Sequence, residues 1–218
     1  SESGTSVTLH TPTGSALVGL PIAGSFNVSN ALVAVGLLIE DGLGIDDIVE
    51  GLENLGPISG RMEIVPSDEP FTVVVDYAHT PDAISAVLAS VRSIVEARLI
   101  VIVGAGGDRD QDKRSLMGAS AARFADLTIV TTDNPRSEDP RTIADEVARG
   151  AEAAGRSQVM TMLDPAESIE HAIDAAGHGD VVMILGRGHE QGQEIAGRIV
   201  PFSDAQVAAR ALEGTRRA

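Results

Sequence analysis

The sequence contains no cysteine and no tryptophan, and aromatic residues make up only 2% of it. Without cysteine there is neither a disulfide nor a thiolate metal site. With so few rings, the core must be built from Val, Ile, Leu, Ala and Met. Positive charge is scarce as well: 16 Lys and Arg stand against 32 Asp and Glu, a formal net charge of -16. That balance disfavours a nucleic-acid partner, and it favours solubility while saying little about fold. No apolar run approaches the ~20 residues that a membrane-spanning helix needs. The opening Ser1-Glu2-Ser3-Gly4 lacks a basic and apolar leader, so nothing marks secretion and a cytoplasmic location is the default. The 218 residues suit one or two domains with a sizeable core.

Residues 6–22 cluster β-formers around Thr11-Pro12-Thr13-Gly14, which predicts a hairpin. A lone hairpin is marginal in water, so this stretch reads as cut from something longer. Residues 30–40 predict a strongly apolar helix with Gly42 as its stop, and residues 45–55 a second helix with Asp46 and Asp47 near its positive end. Gly56-Pro57-Ile58-Ser59-Gly60 reads as a linker and divides the chain into 1–56 and 57–218.

From Arg61 onward the pattern is regular. Short apolar runs at 73–75, 99–103, 127–131, 159–163 and 181–185 alternate with helical segments. That alternation predicts a doubly wound α/β fold around a mostly parallel sheet. In the first of these helices Thr80 caps, Pro81 occupies the first turn, and Ile84, Val87, Leu88, Val91 and Val95 share a stripe. Asp164-Pro165-Ala166-Glu167 reads as a capping box for a helix whose inner face is Ile169, Ala172, Ile173 and Ala176.

In such folds the loops after the strands carry the chemistry. After the first run comes Asp76-Tyr77-Ala78-His79-Thr80-Pro81-Asp82; Asp76 suits a ribose hydroxyl pair, and His79 either faces the same ligand or merely packs. After the second comes Gly104-Ala105-Gly106-Gly107-Asp108-Arg109, whose glycines allow close backbone approach to an anion. It is not the dinucleotide fingerprint, since Arg109 stands where that motif wants its third glycine, and no Gly-Lys-Ser/Thr phosphate loop occurs anywhere. Lys113 and Arg114 open the next helix, where the dipole disfavours cations, so an anionic partner or plain solvent exposure is implied. After the third run comes Asp133-Asn134-Pro135-Arg136-Ser137-Glu138-Asp139-Pro140, in which Asp139 or Thr142 would cap a helix starting near Thr142. After the last comes Gly186-Arg187-Gly188-His189-Glu190, where Glu190 suits a ligand ammonium. Arg109, Asn134, Arg136 and Glu190 would then share one sheet edge, and two guanidiniums with a carboxylate suit a zwitterion such as an amino acid.

Taken in order, Gly60-Arg61-Met62-Glu63, the Asp76–Asp82 loop, Gly106-Gly107-Asp108-Arg109, Asp133-Asn134-Pro135-Arg136 and Gly186-Arg187-Gly188-His189-Glu190 resemble the Mur ligases of peptidoglycan synthesis. The resemblance spans nearly the whole chain, and the Asp-Asn-Pro-Arg tetrapeptide resembles that of members adding meso-diaminopimelate rather than lysine. It implies that 1–56 is the tail of a central ATPase domain and 57–218 a Rossmann-like amino-acid-binding domain. The implied reaction is ATP-dependent amide formation on UDP-N-acetylmuramoyl-alanyl-glutamate through an acyl phosphate, with Mg2+ ligands and the phosphate loop lying upstream. Carried over by motif, Arg109, Asp133, Asn134, Pro135, Arg136, Gly186 and Glu190 would line the diaminopimelate pocket. Arg61 would reach the ATP phosphates, Asp76 the ribose, Asn30 the adenine and His79 the nucleotide. The chain departs from the family at Arg187, usually Lys, at Ser115, usually Pro, and at Gly192, often Tyr. The alternatives are a related amide ligase, of the folylpolyglutamate or cyanophycin synthetase type, and a non-catalytic module that binds an amino acid.

Overall fold

The computed structural model describes residues 4–12, 14–22 and 24–215, and leaves the side chains of Ser25, Phe26 and Thr215 undescribed. Thr13 of the expected turn and Ser1 to Ser3 of the opening stretch lie outside the described residues. The chain divides into two compact units, Ser1–Ile58 and Ser59–Ala218.

The first unit holds β1 (Thr5–Thr11), β2 (Gly14–Leu20), α1 (Ser25–Glu40) and α2 (Ile45–Glu53). The two strands pair antiparallel from Thr5 opposite Leu20 to Thr11 opposite Gly14. They do not stand alone: Leu9, Val18 and Leu20 pack with Ala31 and Val35 of α1 and Ile48 and Leu52 of α2. α1 begins at Ser25 rather than Asn30, and it ends where Gly42 takes φ 93 just beyond it.

The second unit runs β3 (Glu63–Val65), β4 (Thr72–Asp76), α3 (Pro81–Arg92), β5 (Leu99–Val103), α4 (Asp112–Ala122), β6 (Leu127–Val130) and α5 (Pro140–Ala154). It continues through β7 (Gln158–Thr161), α6 (Pro165–Ala175), β8 (Val181–Leu185), β9 (Gly192–Ile195), β10 (Arg198–Pro201) and α7 (Asp204–Thr215). Six strands form one sheet in the order β3-β4-β8-β5-β6-β7. All of its pairings are parallel except that of β3 with β4. The mixed α/β architecture with a mostly parallel sheet is as the sequence predicts. The antiparallel edge strand β3 and the β9–β10 hairpin are additions to it.

Every residue of β5 is buried, as a central parallel strand covered on both faces requires. One face is sealed by α6 and α7, whose Ile169, Ile173, Val207 and Leu212 meet Val73, Val75, Ile100, Ile102 and Ile184. α4 packs on β5 and β6, with α3 and α5 beside it. Three of these helices start alike, because an oxygen-bearing cap followed by proline satisfies orphan amides and presets φ. Thr80 accepts from Ala83 N–H, Asp139 from Arg141 N–H, and Asp164 from the Ala166 and Glu167 N–H groups. α5 thus starts at Pro140 with Asp139 as its cap, while Thr142 donates its hydroxyl to Asp139. α3 stops at Arg92, so Val95 of the expected stripe falls past its end.

Candidate substrate-binding cleft

Inserting β8 between β4 and β5 makes a switch point in strand order, and ligands of open α/β sheets bind outside the carboxyl ends of strands there. A cleft of about 370 Å³ opens at that edge. His79 enters it from the loop after β4, Arg109 from that after β5, Asp133, Asn134 and Arg136 from that after β6, and Gly186 and Glu190 from that after β8.

Asn134 is the hub of the cleft. Its Oδ1 accepts the Glu194 N–H at 2.8 Å, which fixes the amide's orientation. Its Nδ2 then donates to Glu190 Oε2 at 3.0 Å and to Asp133 Oδ1 at 3.1 Å. Arg136 donates through Nη1 to the Gly107 carbonyl at 2.7 Å, and its Nε lies 3.4 Å from Glu194 Oε2. Arg109 is exposed and has neither a hydrogen bond nor an ion pair among the described residues. The wall therefore presents one unpartnered guanidinium and one partly tied one, with carboxylates opposite.

Asp133 is buried, and burial pushes its carboxyl up to about 6; Arg187 opposes that rise, while Asp204 and Glu190 add to it. Arg187 is itself buried, donates to Asp204 at 2.5 Å and lies over the Phe202 ring at 4.2 Å. Burial also raises the Asp204 carboxyl despite that pairing. Arg187 at this departure from the family pattern is therefore a charge held behind the cleft.

Several expectations need correction. Pro135 does not line the cleft; it is buried behind it, its carbonyl accepting the Glu138 N–H at 3.0 Å. Asp76 is 2% exposed and gives its two oxygens to the N–H groups of Met62 and Ala78, both at 2.8 Å. It thus ties the Arg61–Met62 turn from a buried position, and burial raises its carboxyl although both amides oppose this. The glycines after β5 serve the neighbouring loop: a Cβ on Gly107 would overlap the Pro135 carbonyl, and one on Gly106 would lie 2.9 Å from Arg136 Nη1. Of the two alternatives for Arg114, an anionic partner holds and solvent exposure does not: it is buried, with Glu138 at 2.7 Å and Glu146 at 2.9 Å.

Arg61 lies with its guanidinium over the Tyr77 ring at 4.7 Å, and the rings of His79 and His189 flank the same tyrosine. His79 also bonds the Tyr77 carbonyl through Nδ1 at 2.8 Å. Asn30 belongs to the first unit, where its amide donates to Asn27 Oδ1 at 3.3 Å. Tyr77, Lys113 and Met117 line the cleft without having been expected. Lys113 has an anionic partner, Asp110 at 3.2 Å, one of the two alternatives that its place at a helix start implies. Glu194 carried no signal, because it reaches Arg136 only through the β9–β10 hairpin.

Residues 60–188 match the family model described as Mur ligase, glutamate ligase domain. The chain belongs to the Mur ligases. This Mur ligase chain is 42% identical over 208 residues to the UDP-N-acetylmuramoyl-L-alanyl-D-glutamate--2,6-diaminopimelate ligase of Geobacillus thermodenitrificans, covering 95% of itself and 42% of that relative. To the enzyme of the same name from Agrobacterium fabrum it is 45% identical over 196 residues, 89% of this chain and 39% of the other. A solved structure of a UDP-N-acetylmuramoyl-L-alanyl-D-glutamate--2,6-diaminopimelate ligase superposes with a TM-score of 0.71 at 36% identity, covering 100% of this chain and 44% of that one. The UDP-N-acetylmuramate-alanine ligase of Thermotoga maritima shares the fold at 21% identity, with a TM-score of 0.67 over 93% of this chain and 40% of its own. The Mur ligase chain thus spans about two fifths of the length of the curated relatives it matches. No helix among its described residues is long and apolar enough to cross a membrane.

Proposed function

We propose that this chain is the amino-acid-binding part of a cytoplasmic ligase that adds meso-diaminopimelate to UDP-N-acetylmuramoyl-alanyl-glutamate at the expense of ATP. The observation that carries the reading is the single cleft shared by Arg109, Asn134, Arg136 and Glu190. Diaminopimelate bears two carboxylates and two ammoniums. Arg136 takes the distal carboxylate, which lysine lacks, and a guanidinium meets a carboxylate with two parallel bonds. Glu190 and Asp133 receive an ammonium, with Asn134 and Gly186 shaping the floor. The names and identity of the relatives support the same substrate class.

The residues around Tyr77 fit a nucleotide. Arg61 has no hydrogen bond or ion pair of its own among the described residues, and the Tyr77, His79 and His189 rings cluster beside it. Bound ATP supplies the phosphoryl group that activates the glutamate carboxylate for attack by the diaminopimelate amine. The residues of this chain hold and orient the incoming amine and stabilise charge rather than forming a covalent bond. Among the described residues no cluster of three or more His, Asp or Glu could hold a metal ion, and the proposal assigns Mg2+ to residues outside this chain. The first unit is read as the tail of the ATPase domain, whose remainder would cover the exposed Leu32, Val33 and Leu37 of α1.

Calorimetric titration of the chain with meso-diaminopimelate and with lysine tests this. Binding of diaminopimelate in preference to lysine is expected; equal binding, or none, overturns the assignment of the cleft.

A further inference from the structure

The loops after β5 and β6 exchange hydrogen bonds in both directions. The Asp108 carboxylate accepts from the Ser137 N–H at 3.2 Å and from the Ser137 hydroxyl at 2.7 Å. In return, the Glu138 carboxylate accepts from the Asp108 N–H at 2.6 Å and from Gln111 Nε2 at 3.3 Å. Behind Glu138 stands the buried guanidinium of Arg114, 2.7 Å away and held from its other side by Glu146. None of Asp108, Ser137 and Glu138 lines the cleft.

Each half of this latch adjoins a cleft arginine, since Asp108 precedes Arg109 and Ser137 follows Arg136. Asp108 and Arg136 both sit at φ 51, a left-handed conformation that a side chain keeps only where its surroundings enforce it. The Arg136 guanidinium is tied to the Gly107 carbonyl, within the same pair of loops. Arg109 has no such tie, so its backbone is the part of it that the loop holds in place. We propose that Asp108 and Glu138 are positioning residues whose exchange sets the spacing of Arg109 and Arg136, and so selects an amino acid with two carboxylates over one with a single carboxylate. The inference rests on the amino-acid-binding reading above. A ligand with one carboxylate needs one guanidinium and is indifferent to the spacing. One with two needs both at once, and its affinity falls as soon as either strays.

Three variants of the chain test it: Asp108→Gly, Ser137→Ala and Ser137→Thr. Glycine adopts a φ of this sign freely, so Asp108→Gly removes the carboxylate and leaves the backbone unstrained. Each variant is titrated with meso-diaminopimelate and with lysine, and its melting temperature is recorded. Diaminopimelate affinity is expected to fall about tenfold in Asp108→Gly and Ser137→Ala, the scale of one lost charge-assisted bond, with lysine binding and melting unchanged. Ser137→Thr keeps the hydroxyl and restores the affinity. A wild-type chain that prefers diaminopimelate, beside variants that prefer it equally, overturns the latch and leaves the cleft reading standing. Variants that lose both ligands along with their melting temperature show a merely structural role and also overturn it. A wild-type chain with no preference overturns the cleft reading, and the latch with it.

Discussion

Arg136 keeps a left-handed backbone that costs a side chain ~1–2 kcal/mol, and it spends one nitrogen on the Gly107 carbonyl. A guanidinium can do this and still offer a fork to a ligand, whereas an ammonium is a single point of charge. Arg136→Lys is therefore expected to lower the preference for diaminopimelate over lysine by roughly 1–3 kcal/mol, read by paired calorimetric titrations. Asp133 gives a second test at this scale, through pH. Its carboxyl is raised to about 6 in the folded chain, so the folded state holds a proton that the unfolded chain has already released. Stability consequently falls as pH rises from the ordinary aspartate range to about 6, and is level beyond it. The rise corresponds to roughly 3 kcal/mol across that window. Asp76 and Asp204 are raised as well and slope the same way. The comparison that counts is therefore urea unfolding of Asp133→Asn against wild type at pH 4.5 and pH 7. The variant should lose less stability between the two; an identical loss would mean that Asp133 is ionised throughout.

Among the elements, α4 and α5 are the pair that aims the cleft loops, because α4 begins just after Arg109 and α5 just after Glu138. Their backbones meet at two glycines: a Cβ on Gly118 would overlap the Val147 carbonyl, and one on Gly150 the Ser115 carbonyl. Gly150→Ala must push the helices apart, and is expected to cost about 1–3 kcal/mol, seen as a lower urea midpoint at unchanged slope. The same shift would strain the Arg114–Glu146 pair that bridges the two helices. This contact also shows what could be read without coordinates. β4 to β8 and the helices between them announce themselves by apolar runs and by caps such as Thr80-Pro81 and Asp164-Pro165, which act locally. Gly118 and Gly150 carry no local instruction, since each is explained only by a neighbour about thirty residues away. β3 and the β9–β10 hairpin escaped for a related reason: they are short, and all of β10 is exposed, so they lack the buried pattern that betrays a strand. In the cleft, Arg109, Asn134, Arg136 and Glu190 were legible because motifs place them at strand ends. The inward turn of Pro135 and Asp76 was not legible, because a motif does not say which of its members turn inward to hold the loop.

At the scale of the whole molecule, the second unit carries two groups of side chains at one sheet edge: the charged cleft, and the Arg61–Tyr77 stack flanked by His79 and His189. Arg61 does not line the cleft, and its link to the rest of the unit is by stacking on Tyr77 rather than by any bond to the cleft arginines. Tyr77 and His79 line the cleft as well, so Arg61 is a member of the second group at which nucleotide binding is separable from amino-acid binding by mutation. Arg61→Ala in the chain should leave calorimetric affinity for diaminopimelate within a factor of about two, since rim substitutions away from buried networks shift free energies by only ~0.5 kcal/mol. In a full-length ligase carrying the same change, ATP-dependent turnover should fall by about 10²-fold or more, because a cation aimed at phosphate charge acts where that charge develops. The pair of measurements separates the two groups. If the single substitution weakened diaminopimelate binding to the isolated chain as strongly as it slowed turnover, the nucleotide group and the cleft would be one site, and the division of labour proposed for this edge of the sheet would fall.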